Sequence, residues 1–180
     1  MLMTDEFYMS VAIKQAKLAA EGGEVPIGAV VVWDDGRIVG VGRNCREGQK
    51  NALGHAEIAA INSACRELRG WRLHKATLYV TLEPCPMCAG AIVNARIRRV
   101  VYGASDPKAG ALGSRLQICD FGLNHTFEQV GGVMEDECSS LLSNFFLKLR
   151  KARKGELSTD VYQKDDRFGG NDERKSSQSG

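Results

Sequence analysis

The sequence predicts an α/β fold with helices on both faces of a mixed five-stranded sheet, from three observations. Short runs rich in β-branched residues alternate with runs that carry apolar residues at helical spacing. The turn-forming pair Asp35-Gly36 separates the first two strand-like runs, which predicts an antiparallel hairpin. Later strand-like runs are joined through helices, and such crossovers pair strands in parallel. The order α-β-β-α-β-α-β-β-α therefore predicts a three-layer α-β-α arrangement.

The first half of the chain is expected to contain a helix, the hairpin and a second helix. Thr4 is a candidate N-cap, because acidic residues follow it and suit the positive end of a helix. The predicted elements are a helix between Thr4 and Gly22, strands over 27–33 and 37–42, a polar loop over 44–54 and a helix over 55–68.

The second half is expected to complete the sheet and end in a long helix. The strand over 77–82 is almost continuously apolar, which is typical of a strand covered on both faces. Pro86 suits the first turn of a helix. The predicted elements are strands over 77–82, 99–102 and 126–130, helices over 86–95 and 135–154, a loop over 103–113 and a helical turn near 114–118.

Composition indicates one globular domain over 1–154 and a tail over 155–180. The chain has 180 residues, of which 43% are hydrophobic, and this is enough for a sizeable core. The tail is polar, charged and rich in Gly and Ser, so we expect it to be disordered. No apolar run approaches membrane-spanning length and no signal peptide is visible, so we expect a cytoplasmic protein without a membrane partner.

Net charge and cysteine content exclude little by themselves. The net charge is only +2, although basic clusters at 43–50 and 96–99 could bind phosphates or simply be solvated. There are six cysteines, but a chain of this size needs no disulfide framework. Four of them are expected to be small buried or half-buried residues: Cys45, Cys65, Cys119 and Cys138.

The stretch from Gly54 to Cys88 carries the candidate metal ligands His55, Cys85 and Cys88. Cys85 and Cys88 are three residues apart at the start of a predicted helix, so they lie on one face and could hold one ion. The positive end of that helix also favours thiolate over thiol. Because no fourth ligand is nearby, the pattern indicates a catalytic zinc site, which keeps one position for water.

Glu57 is the candidate general base and general acid. It lies two residues after His55, so it points elsewhere on the first turn and could stand beside the metal without binding it. Zinc with two thiolates and a neutral imidazole is formally neutral and acidifies water only weakly. A carboxylate that takes a proton from water and returns it to a leaving group compensates for that weakness.

His-Ala-Glu followed by Pro-Cys-x-x-Cys resembles the signature of the zinc-dependent nucleoside and nucleobase deaminases. Segments 24–30, 76–85, 95–97 and 101–104 are similar to the branch of this superfamily that acts on adenosine in tRNA. The resemblance covers roughly residues 4–150. It implies a cytidine-deaminase-like fold, one Zn²⁺ per subunit, a homodimer, and conversion of adenosine to inosine at the wobble position of a tRNA anticodon loop.

The resemblance also implies substrate contacts for five further residues. Asn44 matches an asparagine that hydrogen-bonds the purine, and Asp106 and Lys108 match a loop that meets nucleotides flanking the target base. Ile27 would supply an apolar wall, and Ala56 a backbone N–H. Without the family, Asn44 is an ordinary strand-end residue, Asp106 and Lys108 are loop charges, and Ile27 is a core residue.

Two alternatives stay open, and two segments depart from the family pattern. The chain could deaminate a free base or nucleoside such as guanine, cytosine or cytidine. It could also use Cys-x-x-Cys as a redox or metal-binding pair, although that interpretation leaves His55 and Glu57 without a role. Many relatives carry Asp-Pro-Thr-Ala where this chain has residues 51–54, and Ala where it has Pro107, which stiffens that loop.

Overall fold

The structure is a computed structural model that describes residues 3–155. Within that range it contains five α-helices, one 3-10 helix and five strands. In chain order these are α1 (Asp5–Glu21), β1 (Gly28–Val32), β2 (Ile38–Arg43), α2 (Arg46–Gln49), α3 (Ala56–Glu67), β3 (Thr77–Leu82), α4 (Pro86–Ala95), β4 (Arg99–Ala104), the 3-10 helix (Ile118–Phe121), β5 (Glu128–Val130) and α5 (Glu135–Arg153). Residues 156–180, most of the predicted tail, lie outside the described part, so the proposed division into domain and tail stays a prediction.

The five strands form one mixed sheet in the order β2-β1-β3-β4-β5. β1 is antiparallel to both β2 and β3, whereas β3–β4 and β4–β5 are parallel. The β1–β2 hairpin turns at Gly36, whose φ of 87° suits glycine. The predicted α/β class and mixed five-stranded sheet are therefore confirmed.

Alternate strand residues face two separate apolar cores. Ala29 and Val31 of β1 point into the core beneath α3 and α4, while Val30 and Val32 point into the core beneath α1 and α5. Because residues along a strand alternate between faces, one buried strand supports a helix layer on each side. The three-layer architecture follows from this alternation.

Three glycines let two helices approach the sheet at backbone contact. A Cβ on Gly28 would lie 2.1 Å from the carbonyl oxygen of Ala12 in α1. On the opposite face, a Cβ on Gly42 would lie 2.1 Å from the carbonyl oxygen of Ala56, and Gly40 meets α3 further along in the same way. The first turn of α3, which follows His55, is therefore seated directly on β2.

The start of α1 is joined to the strands by a polar cluster. The Asp5 carboxylate accepts two hydrogen bonds of 2.8 Å from the Arg99 guanidinium and one of 2.8 Å from the Tyr79 hydroxyl. Arg99 also pairs with Glu128 of β5 at 3.1 Å. Thr4 accepts from the Phe7 amide as the N-cap of α1, so the sequence prediction for that helix start is correct.

Two local predictions were wrong. The loop predicted over 44–54 contains the short helix α2, because the buried Glu24 carboxylate accepts from the Gly48 amide at 2.7 Å and folds the segment inward. The helical turn predicted near 114–118 begins instead at Ile118. The amide of Ser114 donates to Glu83, and Leu112 and Gln117 form an isolated β-bridge, so residues 112–117 are held outside a helix.

Four cysteines lie away from the predicted metal site, and all four are unpaired. Cys138 is buried and Cys45, Cys65 and Cys119 are half-buried, as the sequence predicted. Among the helices of residues 3–155, none has both the length and the apolar character needed to cross a membrane.

Candidate metal centre and active site

The side chains of His55, Cys85 and Cys88 converge at the starts of two neighbouring helices. His55 is the N-cap of α3 and Cys85 is the N-cap of α4, with Pro86 in the first turn. The His55 Nδ1 atom lies 3.7 Å from the Cys85 Sγ and 3.5 Å from the Cys88 Sγ. In the part of the chain that the structure describes, this is the one group of three potential ligands whose donor atoms all lie within 4.8 Å of one another.

These distances fit a tetrahedral zinc ion. Bonds of about 2.3 Å to sulfur and about 2.0–2.1 Å to nitrogen, at a tetrahedral angle, place the two donor atoms about 3.6 Å apart. The observed nitrogen–sulfur separations of 3.5 and 3.7 Å bracket that value. One imidazole and two thiols also form a donor set that zinc binds readily. The three residues could therefore hold one metal ion.

The electrostatics of the cluster are those of a cation site. The hydrogen bond from the Cys88 thiol and, after it, the one from His55 outweigh desolvation and lower the pKa of Cys85 to about 4. The same contacts work in the opposite direction on the partners: the pKa values of Cys88 and His55 are raised, in both cases chiefly by the hydrogen bond with Cys85. The side chains of Cys88 and His55 thus both direct a proton toward the Cys85 thiolate. A metal ion binds such a group of ligands by replacing those protons.

Glu57 lies in the first turn of α3, is only 4% exposed, and is not part of the three-ligand group. Burial raises the pKa of its carboxyl group. A raised pKa suits a carboxyl group that must both accept and release a proton near neutral pH. Its role as general base and acid stays a prediction.

Ile27 lies just before β1 and Asn44 just after β2, so the two residues are neighbours. The backbone amide of Asn44 donates to the Ile27 carbonyl at 3.0 Å, and the backbone amide of Cys45 donates to the Gly54 carbonyl at 2.9 Å. Asn44 is buried, and its neighbour Cys45 links it to the segment that carries His55. Ile27 is half-buried against the core beneath α3, and Ala56 is fully buried at the start of α3.

Asp106 and Lys108 lie in a loop next to α5. The Asp106 carboxylate accepts from the amides of Lys108 and Ala109 at 2.9 and 3.2 Å, so this side chain also shapes its own turn. The loop borders a cleft of about 590 Å³ whose lining includes Asp106, Lys108, Phe146 and Arg150. The Ala111 amide donates to the Pro84 carbonyl at 2.8 Å, so the same loop touches the turn that presents Cys85.

Two glutamates are buried and hydrogen-bonded near the site, and the sequence did not predict this. Glu24 accepts from the Asn44 side-chain amide at 3.4 Å as well as from Gly48. Glu83 ends β3 and accepts from three residues of the Asp106 loop. The available signal was a carboxylate beside an otherwise apolar run, but its partners lie 20–31 residues away in sequence.

This three-layer α/β fold, with a histidine, two cysteines and a buried glutamate at paired helix starts, is that of a deaminase. The chain belongs to the MafB19-like deaminase family, whose model matches residues 3–150. Within it the chain belongs with the tRNA-specific adenosine deaminases. It is 52% identical over 151 residues to the one from Bacillus subtilis (strain 168), covering 83% of this chain and 93% of that one.

Two further relatives agree. The tRNA-specific adenosine deaminase of Haemophilus influenzae (strain ATCC 51907 / DSM 11121 / KW20 / Rd) is 48% identical over 151 residues, which are 83% of this chain and 87% of that one. A solved structure from a study of A-to-I editing by tRNA:A34 deaminases at the wobble position superimposes with a TM-score of 0.70. It is 44% identical and covers 76% of this chain and 99% of its own.

Proposed function

We propose that this protein hydrolyses adenosine to inosine at the wobble position of a tRNA anticodon, using one zinc ion per subunit. The observation that carries the proposal is the convergence of His55, Cys85 and Cys88 beside the buried Glu57, in a chain that is 52% identical to a tRNA-specific adenosine deaminase. The expected cytoplasmic location stays a prediction.

Zinc would be held by His55, Cys85 and Cys88, since the two nitrogen–sulfur separations are those of neighbouring ligands in a tetrahedral site. When bound, zinc supplies Lewis-acid activation of water at neutral pH. Two thiolates balance the charge of the ion, so water near it is acidified less than at an all-histidine site. The remaining proton transfer falls to Glu57.

Glu57 carries the proton in both directions. Its carboxylate takes a proton from the water that adds to C6 of adenine, and it then gives a proton to the amino group, which leaves as ammonia. Water and adenosine are thereby converted to inosine and ammonia, and Glu57 returns to its starting state. Burial of Glu57 supports this role because it raises the pKa of the carboxyl group, and a more basic carboxylate takes up the proton from water more readily.

Asn44 and Ile27 would orient the base. The buried Asn44 amide is a group that can read the donor and acceptor edge of adenine, and Ile27 adds an apolar surface next to it. Ala56 would contribute its backbone N–H, because the first amides of a helix have no partner within the helix. Ala56 directly follows His55. The residue after Asn44 is hydrogen-bonded to Gly54, and Ile27 is hydrogen-bonded to Asn44.

The cleft beside the Asp106 loop would receive the nucleotides that flank the target. Lys108 and Arg150 supply positive charge for phosphates, and Phe146, which is 41% exposed, supplies a face for stacking. An anticodon loop is single-stranded, so turning one base out of the stack is inexpensive there.

We also propose a homodimer, which light scattering of the purified protein would test.

The test uses an anticodon stem-loop with adenosine at the wobble position. The protein is expected to produce inosine from it, and Glu57→Ala is the matched inactive control. Deamination of free adenosine, guanine, cytosine or cytidine with no reaction on the stem-loop would support the free-base alternative and refute the tRNA proposal.

Metal analysis separates the enzyme from a redox protein. One zinc per chain, lost in Cys88→Ala, is the expected result. A reversible disulfide between Cys85 and Cys88 in a protein that holds no zinc would contradict the proposed centre.

A further inference from the structure

Glu83 is a buried carboxylate enclosed by a single loop. Its side chain is 2% exposed. It accepts backbone hydrogen bonds from Asp106 at 3.0 Å, Leu112 at 2.9 Å and Ser114 at 3.1 Å, and a further one from the Ser114 hydroxyl. Residues 106–114, here called the 106–114 loop, are therefore wrapped around one side chain.

Gly110 shows how closely the loop fits that carboxylate. A Cβ on Gly110 would lie 2.3–2.6 Å from three atoms of the Glu83 carboxylate, well inside any allowed contact. Burial of an ionised carboxylate is costly unless hydrogen bonds replace its water, and three backbone amides with a hydroxyl do so here. The loop and the carboxylate thus depend on each other for their positions.

The same short segment also presents a metal ligand. Glu83 is two residues before Cys85, its own amide donates to Ala104 at 2.8 Å, and the Pro84 carbonyl accepts from Ala111 at 2.8 Å. Residues 83–85 therefore connect the candidate metal centre to the turn that bears Asp106 and Lys108. A shift of the loop on Glu83 would change the distance between the candidate metal centre and the cleft beside α5.

We propose that Glu83 is a positioning residue that sets the 106–114 loop at the distance from the metal centre that a nucleotide within an RNA chain requires. It does not touch the substrate; it acts through the loop. The inference rests on the proposed function, because the loop matters only if nucleotides flank the target base. Its consequence is selective: loss of the Glu83 contacts should weaken recognition of the RNA chain and spare the chemical step.

Glu83→Gln is the isosteric test. The NH₂ group of the new glutamine can take the position of one carboxylate oxygen and donate to the Ser114 hydroxyl. The backbone N–H of Asp106 then faces a donor instead of an acceptor. We expect KM for the stem-loop to rise about tenfold, as for loss of one buried hydrogen bond. We expect kcat to stay within about threefold, since contacts made equally in ground and transition states affect KM. Zinc content should remain one per chain.

Two further variants test the same contact from the loop side. Ser114→Ala removes only the hydroxyl donor and should raise KM less than Glu83→Gln does. Gly110→Ala forces the loop away from the carboxylate and should raise KM at least as much. Gly70→Ala is the matched control, since a Cβ there meets nothing closer than 3.8 Å, and it should leave both constants unchanged.

Hydrogen exchange distinguishes positioning from general folding. In Glu83→Gln we expect faster exchange confined to residues 106–114, with β3 and α4 as protected as in the wild type. Unchanged KM in Glu83→Gln, or in Gly110→Ala if the first variant does not fold, would overturn the proposal. So would loss of zinc together with faster exchange throughout α4. A wild-type protein that does not react with the stem-loop would instead refute the proposed function itself.

Discussion

Gly42→Ala should damage the candidate metal centre far more than it damages the fold. Gly42 of β2 faces the first turn of α3, and a Cβ there would lie 2.1 Å from the Ala56 carbonyl oxygen and 2.5 Å from the Ala60 amide. Ala56 stands between His55 and Glu57 in sequence. Any movement that relieves the overlap therefore moves a candidate ligand and the candidate proton carrier together.

The size of that movement can be read from the contact. An ordinary contact begins at 3.4 Å and the separation would be 2.1 Å, so the start of α3 must move away by about 1.3 Å. Metal–ligand distances tolerate deviations of only about 0.2 Å. Misplacement of a reacting group by about 1 Å costs roughly 10²-fold in rate. The cost in unfolding free energy is expected to be only about 1–3 kcal/mol, as for other overpacked cores.

Gly28→Ala is the matched control, because it creates the same overlap on the opposite face of the sheet. Its Cβ would lie 2.1 Å from the Ala12 carbonyl and 2.5 Å from the Ala16 amide of α1. Zinc retention against a graded chelator, kcat/KM on the stem-loop and urea unfolding are measured for both variants. We expect the two variants to lose similar amounts of unfolding free energy. Only Gly42→Ala should lose zinc and show a kcat/KM lower by roughly 10²-fold. Equal zinc retention in both variants would refute the idea that β2 seats His55.

Three other substitutions test separate parts of the site and the fold. Glu57→Gln should lower kcat by about 10²–10⁴-fold, the usual contribution of a positioned acid–base group, while zinc content stays unchanged. Cys85→Ser should abolish zinc binding, yet raise the unfolding free energy of the zinc-free protein by about 1 kcal/mol in a chelator-containing urea titration, because serine is a favoured N-cap. Asp5→Asn should lower the unfolding free energy by about 1–3 kcal/mol at pH 7, since it removes charged hydrogen bonds to Arg99. The pKa of Asp5 is lowered from 3.8, first by its hydrogen bond with Arg99. That stabilisation is present above pH 3.8 and is lost as the pH falls through the lowered pKa. The difference in unfolding free energy between wild type and Asp5→Asn, measured by urea titration, should therefore be smaller at pH 3 than at pH 7.

Local patterns predicted the helices and the hairpin well. The strand from Thr77 to Leu82 and the helix from Pro86 to Ala95 have the predicted bounds, because hydrophobic period, Pro86 and the cysteine spacing are all properties of neighbouring residues. His55 and Cys85 could also be paired from the sequence, since an imidazole and a thiol at two helix starts are ligand types that zinc combines. The antiparallel pairing of β1 with β3 was not anticipated, because no short-range pattern encodes it.

The loops were less predictable because distant carboxylates organise them. Glu24 shapes α2 from 24 residues away, and Glu83 holds Ser114 from 31 residues away. The sequence alone does not show whether a charged side chain is hydrated or accepts hydrogen bonds from remote backbone amides. For the same reason the sequence alone presents Asp106 as a loop charge, and its closure of the turn that contains Lys108 could not be predicted.

The positions of the candidate ligands at N-caps explain why such a site lowers the stability of its own helices. An N-cap side chain normally accepts a hydrogen bond from the first turn, which contributes about 1 kcal/mol. Neither His55 nor Cys85 makes that bond; their side chains point to each other instead. The first amides of α3 and α4 therefore have no partner from their own N-cap side chains. Under the proposed function, metal binding, which couples to folding with a free energy on the order of 10 kcal/mol, would more than offset two missing caps.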